Sequence, residues 1–255
     1  MSGPRAALHF LTLLRLPGPP SSRGQAPLGP THGLAWFAAV GWLLGLLLAA
    51  LDWLLRRGLP PGVATALDLA AMAVVVGGLH WDGLADSADG ILGGRDAGQR
   101  LAIMRDERVG TFGVLAVALV LLTQWSALAS AGGAMRPWLL AAAPAVARAA
   151  LVPLAAVYPN ARPGGLASGL RDAARRPAPL IASGIVGLAA GSAVGPVGLA
   201  LLPVGVLTAL ATGAWAERAI GGITGDVLGA SVELGQAAVW VVGLWWLRAG
   251  WLHGW

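Results

Sequence analysis

The chain has 255 residues, of which 56% are hydrophobic and only 11% charged, and its mean hydropathy is +0.71. A soluble domain carries about 25% charged residues, so a water-soluble globular protein is excluded and an integral membrane protein is indicated. All 17 basic residues are arginine, against 12 acids, and no cysteine occurs. Disulfides, thiolate metal sites and cysteine nucleophiles are therefore excluded, and in a membrane chain the basic excess reads as arginine-rich loops on one side, not as a nucleic-acid surface.

In residues 1–16, Arg5 precedes an apolar stretch that Arg15 closes, and no small-residue cleavage site follows. This predicts a short amphipathic helix on the membrane surface instead of a signal peptide. The Pro/Gly/Ser-rich segment from Pro17 to Pro30 reads as a linker, so that residues 1–32 form a surface helix and linker and residues 33–252 the bundle of a single integral membrane domain. About 20 apolar residues are needed to cross a bilayer as a helix. Seven runs qualify: Gly33 to Leu55, Gly62 to His80, Val109 to Ala131, Pro137 to Tyr158, Leu180 to Val194, Val197 to Ala216, and Gly235 to Leu252. The stretch from Leu180 to Ala216 is read as two tight spans. The fold class expected is all-α, a polytopic membrane helical bundle of about seven transmembrane helices plus cytoplasmic-face helices carrying an acidic motif.

With seven spans, 12 of the 17 arginines fall on the side of the N-terminus, four on the other, and Arg148 inside the fourth span. That bias places the N-terminus and the 81–108 and 159–179 segments in the cytoplasm. Most of the twelve tryptophans lie near span ends and read as interfacial anchors.

Charge is scarce, yet Asp82 to Arg108 holds six of the 12 acids and four arginines. Asp82, Asp86 and Asp89 stand at i, i+4 and i+7, which puts them within roughly 60° of one helix face. Three adjacent carboxylates repel one another unless a cation compensates, and a hard divalent ion such as Mg²⁺, with substrate phosphate oxygens completing its shell, suits them. The bland alternative is a solvated acidic face. Downstream, Arg105 and Arg108 flank Asp106 and read as phosphate-binding forks, or else as headgroup anchors.

A second acidic pair, Asp226 and Glu233, shares a face seven residues apart, beside Gly221, Gly225 and Gly229. The glycine stripe predicts close helix packing, and the carboxylates suggest a second metal or a base for phosphoryl transfer. Arg148, inside a span, requires a partner or a polar cavity. His80 is a candidate base or phosphate donor.

The run HWDGLADSADGILGG from His80, LAIMRDERVGTFGV from Leu101 and GGITGDVLGASVEL from Gly221 together resemble, in order, spacing and wording, the cobalamin synthase family of adenosylcobinamide-GDP ribazoletransferases. FLTLLRLPGP from Phe10 is similar to the family's N-terminus, and the likeness runs from near Leu8 to near Trp245. It is looser from Asn160 to Leu166 and assigns no role to Arg162. The resemblance implies a multi-pass enzyme of the bacterial inner membrane with its active-site loops cytoplasmic. In the implied reaction, a ribose hydroxyl of alpha-ribazole or its 5′-phosphate attacks the cobinamide-linked phosphorus of adenosylcobinamide-GDP, with Mg²⁺ required and GMP released. Carried over by position, Asp82, Asp86, Asp89, Arg105, Asp106 and Asp226 are its functional residues.

The combined expectation assigns catalysis to Asp82, Asp86, Asp226 and Arg105, and substrate binding to Arg105, Arg108, Asp106, His80 and Arg148. The metal set is Asp82, Asp86, Asp89, Asp226 and Glu233. Partners expected are the two small-molecule substrates and membrane lipid, with no nucleic acid, and a homo-oligomer is left open. Two rivals stand beside it. A CDP-alcohol-type phosphotransferase requires a further aspartate series that Gly93 to Asp106 lacks. An ion-coupled transporter requires acids at mid-membrane.

Overall fold

A computed structural model describes residues 3–14, 30–162, 164 and 169–249 of the chain. The linker expected after Pro17 falls almost wholly outside these residues. The described residues form α1 (Gly3–Leu11), α2 (Phe37–Leu55), α3 (Pro61–Val75), α4 (Leu79–Gly93), α5 (Ala97–Ile103) and α6 (Thr111–Ser130). These are followed by α7 (Arg136–Ala149), α8 (Leu151–Val157), α9 (Leu170–Ala174), α10 (Pro177–Ser192), α11 (Leu201–Ile220) and α12 (Gly225–Arg248). No strand occurs among them beyond one isolated bridge. The all-α bundle is as expected.

The count of seven spans is corrected. Among the described residues five helices are long and apolar enough to cross a membrane, Leu34–Leu55, Thr111–Ser130, Arg136–Val157, Gly198–Ile220 and Gly225–Trp246, and a sixth span results if α3 and α4 are taken as one broken element. The fifth run, α10, has only 16 residues, short of the length needed. The last helix starts at Gly225, ten residues before the expected Gly235, so Asp226 and Glu233 lie within it. The second run does not continue to His80. Gly77 and Gly78, at φ of 65° and 68°, turn the chain by 88° between α3 and α4. A left-handed backbone of this kind is strained for any residue with a Cβ, so the glycine pair makes the elbow possible.

The centre of the bundle is α7. The span from Arg136 to Val157 is 83% buried inside the protein, whereas that of α6 is 22%. Alanine dominates α7, and its small side chains let neighbours approach: Gly41 and Gly45 of α2 lie directly against the backbone of Pro144 and Ala141. Without a hydrophobic driving force in lipid, such close packing is what holds helices together. The outer faces of α2, α6 and α10 expose Leu43, Leu47, Leu119, Leu122, Ile181 and Ile185, an apolar surface that water would not tolerate and lipid would.

The N-terminal helix is amphipathic, but its apolar side is spent on the protein. Ala6, Ala7, Leu8 and Leu11 are buried, and the Phe10 and Phe37 rings stack 5.4 Å apart.

Candidate active site

The acidic motif occupies α4, which is wedged between α6 and α12 and runs past both in the opposite direction. His80 lies against Gly229, and three residues on, Gly83 lies against Asp226. A Cβ on Gly83 would stand 2.7 Å from the Asp226 carbonyl oxygen, so glycine is required for this approach. The expected glycine stripe splits accordingly. Gly229 packs on His80, while Gly221, at φ 78° with nothing near its Cβ position, instead terminates α11.

Three carboxylates meet at this crossing. Asp86, half-buried, faces Asp82, Asp226 and Asp89, and the cation that faces it is Arg162. Asp226 sits in the first turn of α12, where the helix dipole favours an anion. Thr224 caps that helix, accepting from the Val227 N–H at 3.3 Å, and its hydroxyl donates to Asp226 Oδ2 at 3.1 Å. Arg162 Nη1 donates to the same oxygen at 3.2 Å, and Nη2 donates to the Leu101 carbonyl at 3.2 Å, tying α12 to the end of α5.

Arg162 is the residue of this crossing to which the sequence assigned no role. It reaches Asp226 from a loop 64 positions away, and a short parallel pairing of Asn160 with Ile223 delivers it. The Ala161 N–H donates to the Ile223 carbonyl at 2.9 Å, and the Ile223 N–H donates to the Pro159 carbonyl at 2.8 Å. No periodicity marks such a contact; the polar Pro-Asn-Ala-Arg run after an apolar span was the only signal.

Asp89 is placed differently from the metal reading. Its Oδ2 accepts from the Gly110 N–H at 2.7 Å and its Oδ1 from the Gly113 N–H at 2.8 Å, so it satisfies the amide donors at the start of α6. The i+7 spacing put it on the acidic face, and the free amides of the next helix turned it away. Both glycines are needed, because a Cβ on either would collide with this carboxylate.

Glu233, His80 and Arg148 lie behind the carboxylates and are closed off from the surface, at 2%, 3% and 0% exposure. Gln124 donates to the Glu233 side chain at 3.0 Å and Gln236 at 3.1 Å. His80 Nδ1 is 3.6 Å from Glu233 and 3.5 Å from Arg148. The expected substrate-facing placement of His80 and Arg148 is thereby corrected: they lie in a buried network that joins polar groups of four helices, α4, α6, α7 and α12, in which Arg148 Nε and Gln236 Oε1 have no partner among the described residues.

Arg105, Asp106 and Arg108 are exposed on the loop between α5 and α6. Asp106 is paired with Arg108 in a two-pronged surface contact of 2.8 and 3.0 Å, and this guanidinium holds its carboxyl down at about 2. The Arg105 guanidinium has no hydrogen-bond partner among the described residues, while its backbone N–H donates to the Ala102 carbonyl at 3.1 Å. Its neighbour Met104 packs on Gly90, one turn beyond Asp86.

A groove of about 830 Å³ opens beside Asp82, lined by Gly78, Trp81, Ala85, Gly113 and Val117. A second, more apolar groove of about 510 Å³ continues from Gly78 and Trp81 to Trp125. Among the described residues no group of three or more His, Asp or Glu side chains is placed to hold a metal ion by itself. The crossing is an open set of oxygen donors with more negative than positive charge, which fits a hard cation that takes one or two carboxylates and fills its shell from substrate.

The sequence pattern described as cobalamin-5-phosphate synthase matches residues 3–244. A curated protein of Bradyrhizobium diazoefficiens named adenosylcobinamide-GDP ribazoletransferase is 41% identical over 247 residues, covering 93% of this chain and 91% of its own length. Proteins of the same name from Chlorobaculum parvum and Ralstonia nicotianae are 39% and 37% identical, covering 97% and 89% of this chain and 97% and 90% of their own lengths. No solved structure matches. The chain belongs to the cobalamin-5-phosphate synthase family.

Proposed function

We propose that this protein transfers the cobinamide-phosphate group of adenosylcobinamide-GDP to alpha-ribazole or its 5′-phosphate, releasing GMP. The observation that carries the reading is the meeting of Asp82, Asp86 and Asp226 with a single facing guanidinium at the mouth of a groove, in a chain of this family. One or two of Asp82, Asp86 and Asp226 would hold Mg²⁺, with substrate phosphate oxygens completing its shell. When bound, the ion neutralises charge on the phosphoryl oxygens.

The chain's own residues do the remainder. Arg162, fixed by Asp226 and the Leu101 carbonyl, supplies a guanidinium charge beside the carboxylates that attracts the diphosphate. Arg105 supplies a second guanidinium from the α5–α6 loop. The acceptor's ribose hydroxyl attacks the cobinamide-linked phosphorus, the bond to the bridging oxygen breaks, and its electron pair leaves on GMP. A carboxylate of the cluster takes the hydroxyl proton. The apolar groove beside Asp82 holds the acceptor's base. Asp89 and the His80–Glu233–Arg148 network position α4 without touching substrate.

The eight arginines of the 81–108 and 159–179 segments support a placement of the cluster on the cytoplasmic side of the membrane, which in this family reading is the bacterial inner membrane. The test is GMP release from adenosylcobinamide-GDP by the protein in lipid nanodiscs. Release that requires both the nucleoside acceptor and a divalent cation is expected. Release without acceptor would overturn the transferase reading, and full activity in chelator would overturn the metal assignment.

A further inference from the structure

At the other end of α6 lies a second charged cluster, which the proposed reaction does not use. Arg136, at the start of α7 and 1% exposed, donates through Nε to Asp52 Oδ2 at 3.0 Å and through Nη2 to Asp52 Oδ1 at 2.6 Å. Nη2 also donates to the Thr65 hydroxyl at 3.0 Å, and Nη1 donates to the carbonyls of Leu128 and Ala131. A guanidinium has five N–H donors, and all five are spent.

Asp68 of α3 lies in the same cluster at 0% exposure, 3.7 Å from Arg136 Nη2, and neither of its oxygens has a hydrogen-bond donor in the protein. The Thr65 hydroxyl cannot supply one, because it donates to the Pro61 carbonyl at 2.8 Å. The groups that face Asp68 are Asp52 from α2, Arg136 from α7 and Arg56 just beyond α2, with the Asp52 carboxyl within hydrogen-bonding reach. Two buried carboxylates on one saturated guanidinium leave the Asp68 charge without a hydrogen-bonded cation, the partly exposed Arg56 being the other one that faces it, and leave two orphaned acceptors, a combination that costs several kcal/mol in a buried site. One proton removes both defects, since a protonated carboxyl donates to its neighbour and brings the trio to neutrality.

We infer that Asp52 and Asp68 bind a single shared proton beneath Arg136, forming a neutral hydrogen-bonded knot that ties α2, α3, α6 and α7 together. A metal ion is the poorer occupant, because no third His, Asp or Glu joins the pair among the described residues.

Difference infrared spectroscopy of the detergent-solubilised protein at neutral pH tests this. The wild type should show the carbonyl stretch of a protonated carboxylic acid, shifted in heavy water, and Asp68→Asn should lose that band while keeping its melting temperature, because the amide donates where the acid did. Asp68→Ala should lose the band and melt well below the wild type. Absence of the band in the wild type, or a melting temperature that rises with added sodium, would overturn the proposal. So would equal destabilisation by Asp68→Asn and Asp68→Ala.

Discussion

The two ends of α6 hold clusters built from the same parts, several aspartates and one arginine, and they differ in what is left over. At the far end Arg136 uses every N–H on Asp52, Thr65 and two carbonyls, and the cluster is sealed. At the near end the Arg162 and Asp226 side chains are 15% and 24% exposed. Excess negative charge in a sealed pocket has to be answered by a permanent proton, whereas in an open one it can be answered by an exchangeable cation and by substrate phosphate. Exposure, more than the residue types, separates a structural charge cluster from a chemical one.

Substitutions at the near end should sharpen this contrast most. Asp86→Asn and Asp226→Asn are expected to lower kcat by about 100-fold or more, the scale of losing one preorganised charge contact, with the melting temperature unchanged. A parallel fall in melting temperature would make the near cluster structural, like the far one.

Asp89 and Glu233 should behave in the opposite way. Asp89→Ala leaves two amides at the start of α6 unpaired and should cost about 2 kcal/mol. Glu233→Ala removes one member of a buried charged network and should cost about 3 kcal/mol. Chemical denaturation in micelles measures both, and stability equal to the wild type would return these residues to the metal set.

Arg162→Ala should raise KM for adenosylcobinamide-GDP by about tenfold, as expected for a charge-assisted hydrogen bond. An unchanged KM would reduce Arg162 to a packing group. Arg108→Ala should be the mildest, about threefold or less in kcat/KM, because an exposed pair contributes little.

Much of this was legible in the sequence because it is periodic or compositional. Aspartates at i, i+4 and i+7 marked α4, apolar runs marked the long helices, and the poverty of charge made both clusters of acids conspicuous. What stayed hidden depends on contacts between distant segments. The capture of Asp89 by Gly110 and Gly113, the burial of His80 against Glu233, and the Asp52–Arg136 pairing across 84 positions leave no local trace. The elbow at Gly77 and Gly78 was read as part of a straight span because two glycines in an apolar run do not lower its hydropathy enough to end it.

The pairing of Asn160 with Ile223 also fixes how the chain can vary in length. The chain bends after Asn160, whose side chain accepts from the Arg162 N–H at 3.2 Å, so the direction of Arg162 toward Asp226 is set by its two-residue distance from the paired asparagine. Adding or deleting one residue between them would turn the guanidinium away from the carboxylates without disturbing a single helix. The site is thus held in register by a contact one residue long.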